Sequence, residues 1–222
     1  MNTMRARAKA HLPTVLLTLL SIVQALALEQ LWSHASETEH LYAFDLAALT
    51  GWGQVAATLL GIVLIWIVYA SNVVRFRWVP TTSDSVYPFY VGALEMAMVE
   101  ALHREAIGVW FIVIGVIFAS MTLISHFTLR RARRDGENEE WFASRAPARL
   151  RDFYQSIIIV SVVVAIGAVF TLASPSPALA LSAVVVLNAF LVWQFYVTAQ
   201  FWKMSVLVPD ETADSDQAPP ES

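Results

Sequence analysis

The chain has no cysteine among its 222 residues. That excludes disulfides and thiolate metal centres and leaves the redox compartment open. Charge is scarce too: 14% of residues are Asp, Glu, Lys or Arg, against 57% hydrophobic. A soluble domain has about 25% charged and roughly 45–50% apolar residues, so this composition argues against one. The net charge of −4 gives no reason to expect nucleic acid as a partner. Catalytic signatures are also missing. The loop pattern H-x-x-E-x-E-H from His34 to His40 fits neither H-E-x-x-H nor H-x-x-E-H. No transmembrane histidine pair suggests haem, and no nucleophile–base pair stands out. No cofactor is expected, and an enzyme is the least favoured class.

What the chain does have is long apolar blocks, with a mean hydropathy of +0.58. A helix rises about 1.5 Å per residue, so about 20 apolar residues cross roughly 30 Å of hydrocarbon. Blocks at 12–32, 50–74, 106–129, 154–173 and 178–202 meet that length. A sixth, 86–102, is shorter and carries Glu95 and Glu100. The expected fold is an all-α polytopic membrane protein with six transmembrane helices. Five spans plus a re-entrant or interfacial third segment is the alternative.

Basic residues decide between the two. With six spans, Arg5, Arg7, Lys9, Arg75, Arg77, the cluster Arg130 to Arg134, Arg145, Arg149, Arg151 and Lys203 share one side, leaving only Arg104 across the membrane. Five spans would split Arg75 and Arg77 from the cluster. Positive charge in short loops favours the cytoplasm, so six spans with both termini cytoplasmic is the expectation, in a bacterial inner membrane. Trp32, Tyr42, Phe44, Trp52, Phe76, Trp78, Phe201 and Trp202 flank the blocks, as interfacial rings do, whereas Trp66 falls mid-span as a packing residue. The stretch through Ala25-Leu26-Ala27 resembles a cleavable signal, but the apolar run continues to Trp32 and a retained anchor is favoured.

The expected organisation is a basic N-terminus (1–11), a four-helix transmembrane half (12–129) and a charged loop (130–153). A helical hairpin (154–203) and a disordered acidic tail (204–222) follow, the tail being too poor in aliphatics to offset its ordering entropy. The charged loop, with Trp141 and Phe142, reads as a short interfacial helix.

Candidate sites are polar residues inside apolar blocks. Glu95 is the sharpest: a mid-span acid costs about 2.5–3.5 kcal/mol on insertion scales, so it is expected to be protonated or partnered. A proton- or cation-handling role is weighed against a satisfied interhelical hydrogen bond, and the bond is favoured. Gln54, Thr58, Gly61, Tyr69 and Asn72 form a polar stripe on the second block. Glu29 can reach interfacial water, and Glu100 is expected to pair with Arg104 or His103. His34, His40 and His103 are weak metal candidates, with a solvated acidic loop the default. His126 reads as structural.

Small residues every fourth position let backbones approach closely. The stripes Gly53/Ala57/Gly61 and Ala93/Ala97/Ala101, with Gly115 and Ala119, are therefore the expected packing seams. Besides the lipid bilayer, a second copy or a membrane-complex partner is expected. The favoured function is an accessory or scaffolding subunit. A small ion, proton or solute transporter or channel component using an intramembrane Glu is the alternative.

Overall fold

A computed structural model describes residues 3–143 and 153–206. Seven α-helices account for nearly all of them: α1 (Thr3–Glu37), α2 (Leu46–Arg75), α3 (Thr82–Glu100), α4 (Ile107–Ala132), the short α5 (Glu139–Ala143), α6 (Tyr154–Leu172) and α7 (Pro177–Val206). There is no strand among the described residues. Five helices, α1, α2, α4, α6 and α7, are long and apolar enough to cross a membrane. Their outward faces carry large apolar side chains such as Ile22, Leu59, Val162 and Val186, the surface a hydrocarbon solvent favours. The expectations for Arg145, Arg149, Arg151 and the acidic tail beyond residue 206 fall outside the described residues.

Local chemistry sets the helix ends. Asp45 caps α2 by accepting from the Ala48 amide at 2.7 Å. Thr81 and Asp84 close a reciprocal capping box at the start of α3, which satisfies amides that have no partner within the helix. Pro177 opens α7, where its missing N–H removes no bond. The His103-Arg104-Glu105 hairpin, which lacks Gly and Pro, turns through a short 3-10 segment at Arg104–Ala106.

The helices pack mainly in pairs: α1 along α3, α2 along α7 and α4 along α6. Contacts among their termini define two ends of the bundle. At one end Lys9 reaches both Asp135 and Glu137 at 2.6 Å, Arg131 holds Asp84 and Thr81, and Arg75 lies 6.0 Å from the Trp202 ring. At the other, the His34 and His103 rings meet edge to face with centroids 5.4 Å apart, and Gln30 donates to Glu100 at 2.9 Å. These are called the arginine end and the histidine end below. Helix α3 starts at the first and finishes at the second. Its 19 residues span about 28 Å at about 1.5 Å each, yet Asp84, Glu95 and Glu100 lower its hydropathy and it is not among the five most apolar helices.

A satellite cluster covers the arginine end. Phe76, Trp78 and Ala132 are buried there under Trp141 and Phe142, with Phe76 stacked on Phe142 at 5.5 Å. Asn138 pins the cluster: its carbonyl accepts from the Arg77 amide at 2.9 Å, and its amide donates to the Ala132 and Arg77 carbonyls. Trp78, at this same end, is buried within the cluster. Trp66 is exposed mid-helix, its indole N–H donating to Ser21 at 2.9 Å, so the polar edge is satisfied without burial of the ring.

The Lys9 ion pairs give a pH prediction. Burial opposes ionisation of Asp135, but the Lys9 ammonium and the Glu137 amide outweigh it and hold the carboxyl below its usual range. A folded-state pKa below the unfolded value of about 3.9 means stabilisation that is complete above that value and lost as pH falls through the lowered one. Wild type is therefore expected to lose thermal stability below about pH 4 more steeply than Lys9→Met. Unfolding in detergent from pH 7 to pH 3 measures the gap, which should be about 1 kcal/mol, because Glu137, the second partner of Lys9, is solvent-exposed and still holds the ammonium.

Candidate functional site

Two features combine polar groups with an apolar setting. The first is a sealed polar contact among α1, α2 and α3. Glu95 is 0% exposed and Gln24 4%. The Gln24 amide nitrogen donates to Glu95 Oε1 at 2.7 Å and to the Ile62 carbonyl at 3.1 Å, so one side chain ties three helices at one level. Glu95 Oε2 is buried with no hydrogen-bond partner. Close approach of α3 to α1 makes this geometry possible: a Cβ on Gly92 would run into Val23. Gln24 belongs to the buried stripe of α1, with Leu16, Leu20, Ala27 and Leu31.

The second feature is a cavity of about 930 Å³ between the α2–α7 and α4–α6 pairs. Its shaft is lined by apolar residues including Ala57, Leu64, Ile65, Ile114 and Ile117. At the arginine end it meets Arg75, Arg130, Arg133 and His126. Arg133 stacks over Phe142 at 4.7 Å, and His126 meets Phe153 edge-on at 4.9 Å. Among the described residues no Asp or Glu lines it, and Glu95 is absent from its wall.

The other expected site residues fall into separate places. The polar stripe of α2 is divided between packing and cavity. Gln54 and Thr58 are buried, with Thr58 accepting from the Trp110 indole at 3.1 Å, and Gln54 Nε2 has no partner. Tyr69 is buried, whereas Gly61 and Asn72 line the cavity. Glu29 is exposed, and Glu100 takes its bond from Gln30. His34 and His103 touch, but among the described residues no group of three or more His, Cys, Asp or Glu could hold a metal ion.

The small residues part similarly. A Cβ on Gly53 would lie 2.6 Å from Val184 Cγ1, and one on Gly115 would crowd Val164, whereas one on Gly61 would meet nothing within 4 Å. Ala57 and Ala101 are buried, while Ala93 and Ala97 face outward from α3. The close approach of α3 is made on its other face, at Gly92. No family model, curated protein or solved structure matches the chain.

Proposed function

We propose that the chain is a six-span protein of a bacterial inner membrane, with both termini on the cytoplasmic side, serving as an accessory or scaffolding subunit of a membrane assembly. The observation that carries this reading is the state of Glu95. An acid that moves protons or cations must exchange with a hydrated path. Glu95 is instead enclosed by three helices, bonded to Gln24 and off the cavity wall. A cavity without acidic lining among the described residues also offers a cation no favourable stop. A sixth crossing is supported by α3, which runs from the Arg131 contact at one end to the Gln30 contact at the other. The shared arginine end is the one that the positive-inside bias assigns to the cytoplasm. The transport reading is second, favoured by Gly61 and Asn72 of the α2 stripe lining the cavity.

In proteoliposomes under a proton or monovalent-cation gradient, wild type and Glu95→Gln are expected to give the same background flux. A flux that wild type supports and a folded Glu95→Gln abolishes would move the assignment to transport. Extraction in native-lipid nanodiscs checks the scaffolding half. The chain should migrate in an assembly that Ala97→Leu, on the outward face of α3, breaks up; a solitary chain in both forms counts against it. Because the chain lacks cysteine, single cysteines at Ser83 and His103 can be labelled cleanly and should react from opposite sides.

A further inference from the structure

The cavity has an uneven distribution of charge that no role for Glu95 explains. From Ala57 to Arg75 its α2 wall runs 18 residues, about 27 Å at about 1.5 Å each. That is most of the roughly 30 Å of a bilayer core. Its volume, about 930 Å³, lies at the upper end of ligand sites, which run about 300–1,000 Å³. The shaft is open at Gly61, where nothing approaches within 4 Å of a Cβ position.

The mouth is cationic, lined by Arg75, Arg130 and Arg133. Arg75 is half-buried, its Nε is enclosed with no hydrogen-bond partner, and neither Arg75 nor Arg130 joins an ion pair among the described residues. A buried guanidinium N–H without an acceptor is costly. The Arg75 side chain lines a space that no carboxylate among the described residues shares. Nearby, by contrast, Arg131 is paired with Asp84 and Lys9 with Asp135 and Glu137.

We infer that this cavity holds an anionic glycerophospholipid, one acyl chain lying in the shaft and its phosphate at Arg75 and Arg130. Hydrocarbon matches the Ala57–Ile117 walls, and phosphate oxygens match guanidinium forks, which bind them with paired, charge-assisted hydrogen bonds. Basic pockets between transmembrane helices take anionic headgroups on the same grounds. A cation would leave the mouth unmatched, and a polar neutral solute would leave the shaft unmatched.

The test uses the full chain reconstituted in nanodiscs of phosphatidylcholine with one-fifth phosphatidylglycerol, then transferred to mild detergent. Lipid retained per chain is read by native mass spectrometry. Wild type should keep one phosphatidylglycerol in preference to phosphatidylcholine. Arg75→Gln with Arg130→Gln should lose about tenfold or more of that preference, the scale of a lost charge-assisted contact. Gly61→Phe, placed where the wall is open, should expel the lipid while thermal unfolding of the lipid-free protein stays unchanged. Equal retention of both lipids, or retention indifferent to Gly61→Phe, overturns the inference. So does a second copy of the chain that shields Arg75 in place of lipid. The arginine variant keeps the inference falsifiable if the phenylalanine variant does not fold.

Discussion

Gly167→Ala is expected to separate α4 from α6 and to lower stability by about 1–3 kcal/mol, the range for overpacking a filled interface, with Gly167→Leu giving no folded protein. A Cβ on Gly167 would sit 2.7 Å from the Gly108 carbonyl oxygen and 2.8 Å from the Ile112 amide nitrogen. Both obstacles are backbone, and backbone cannot rotate aside as a side chain can. On the partner helix, a Cβ at Gly108 would likewise stand 2.7 Å from the Gly167 carbonyl oxygen, so the two glycines form one reciprocal contact. At Gly53 the obstacle is a Val184 methyl at 2.6 Å, which a rotamer change can partly relieve. At Gly61 there is none. Thermal unfolding in a single detergent should therefore rank alanine substitutions Gly167 and Gly108 worst, Gly53 milder and Gly61 near neutral. A Gly61→Ala variant as damaged as Gly167→Ala would mean that the pairing of helices is not as described.

The ranking also shows where sequence reading ends. A spacing of four marks Gly53, Ala57 and Gly61 as small and aligned, but lipid and protein interior are both apolar. In water, the polar face of a helix reveals which side is outside; here hydropathy does not. So Gly53 meets α7 while Gly61 opens on a cavity, and Gly92, off the alanine stripe, makes the close contact of α3. Block boundaries fare better because they depend on local chemistry. Pro177 opens α7, Thr81 and Asp84 open α3, and Asp45 opens α2. Glu95 could be marked as needing a second surface from its charge alone. Its partner could not, since Gln24 is 71 residues away on a helix apolar nearly all round. The pairing of Lys9 with Asp135 and the triple bonding of Asn138 are long-range for the same reason. The cavity arises from the spacing of helix pairs, which no single segment encodes.

Gln24→Leu is expected to destabilise the bundle by about 1–3 kcal/mol, the penalty for leaving a buried polar group without its partner. That exceeds the average of about 0.6 kcal/mol for interhelical hydrogen bonds in membranes, and the geometry says why. Glu95 Oε2 is already without a partner, and Gln24 supplies the one side-chain bond to Oε1. Removing it leaves a fully buried carboxyl with nothing to replace the bond, while the Ile62 carbonyl loses its extra donor as well. Glu95→Leu alone should be milder, because the stranded Gln24 amide keeps the Ile62 carbonyl. The double variant Gln24→Leu/Glu95→Leu removes both demands together and should recover most of the loss, as apolar replacements of buried polar pairs do. Unfolding free energies of the four proteins in one detergent close the cycle, with a coupling of about 1 kcal/mol or more anticipated from the bond and its burial. Additive single effects would show that Glu95 does not depend on Gln24, and the way α1, α2 and α3 are joined would have to be redrawn.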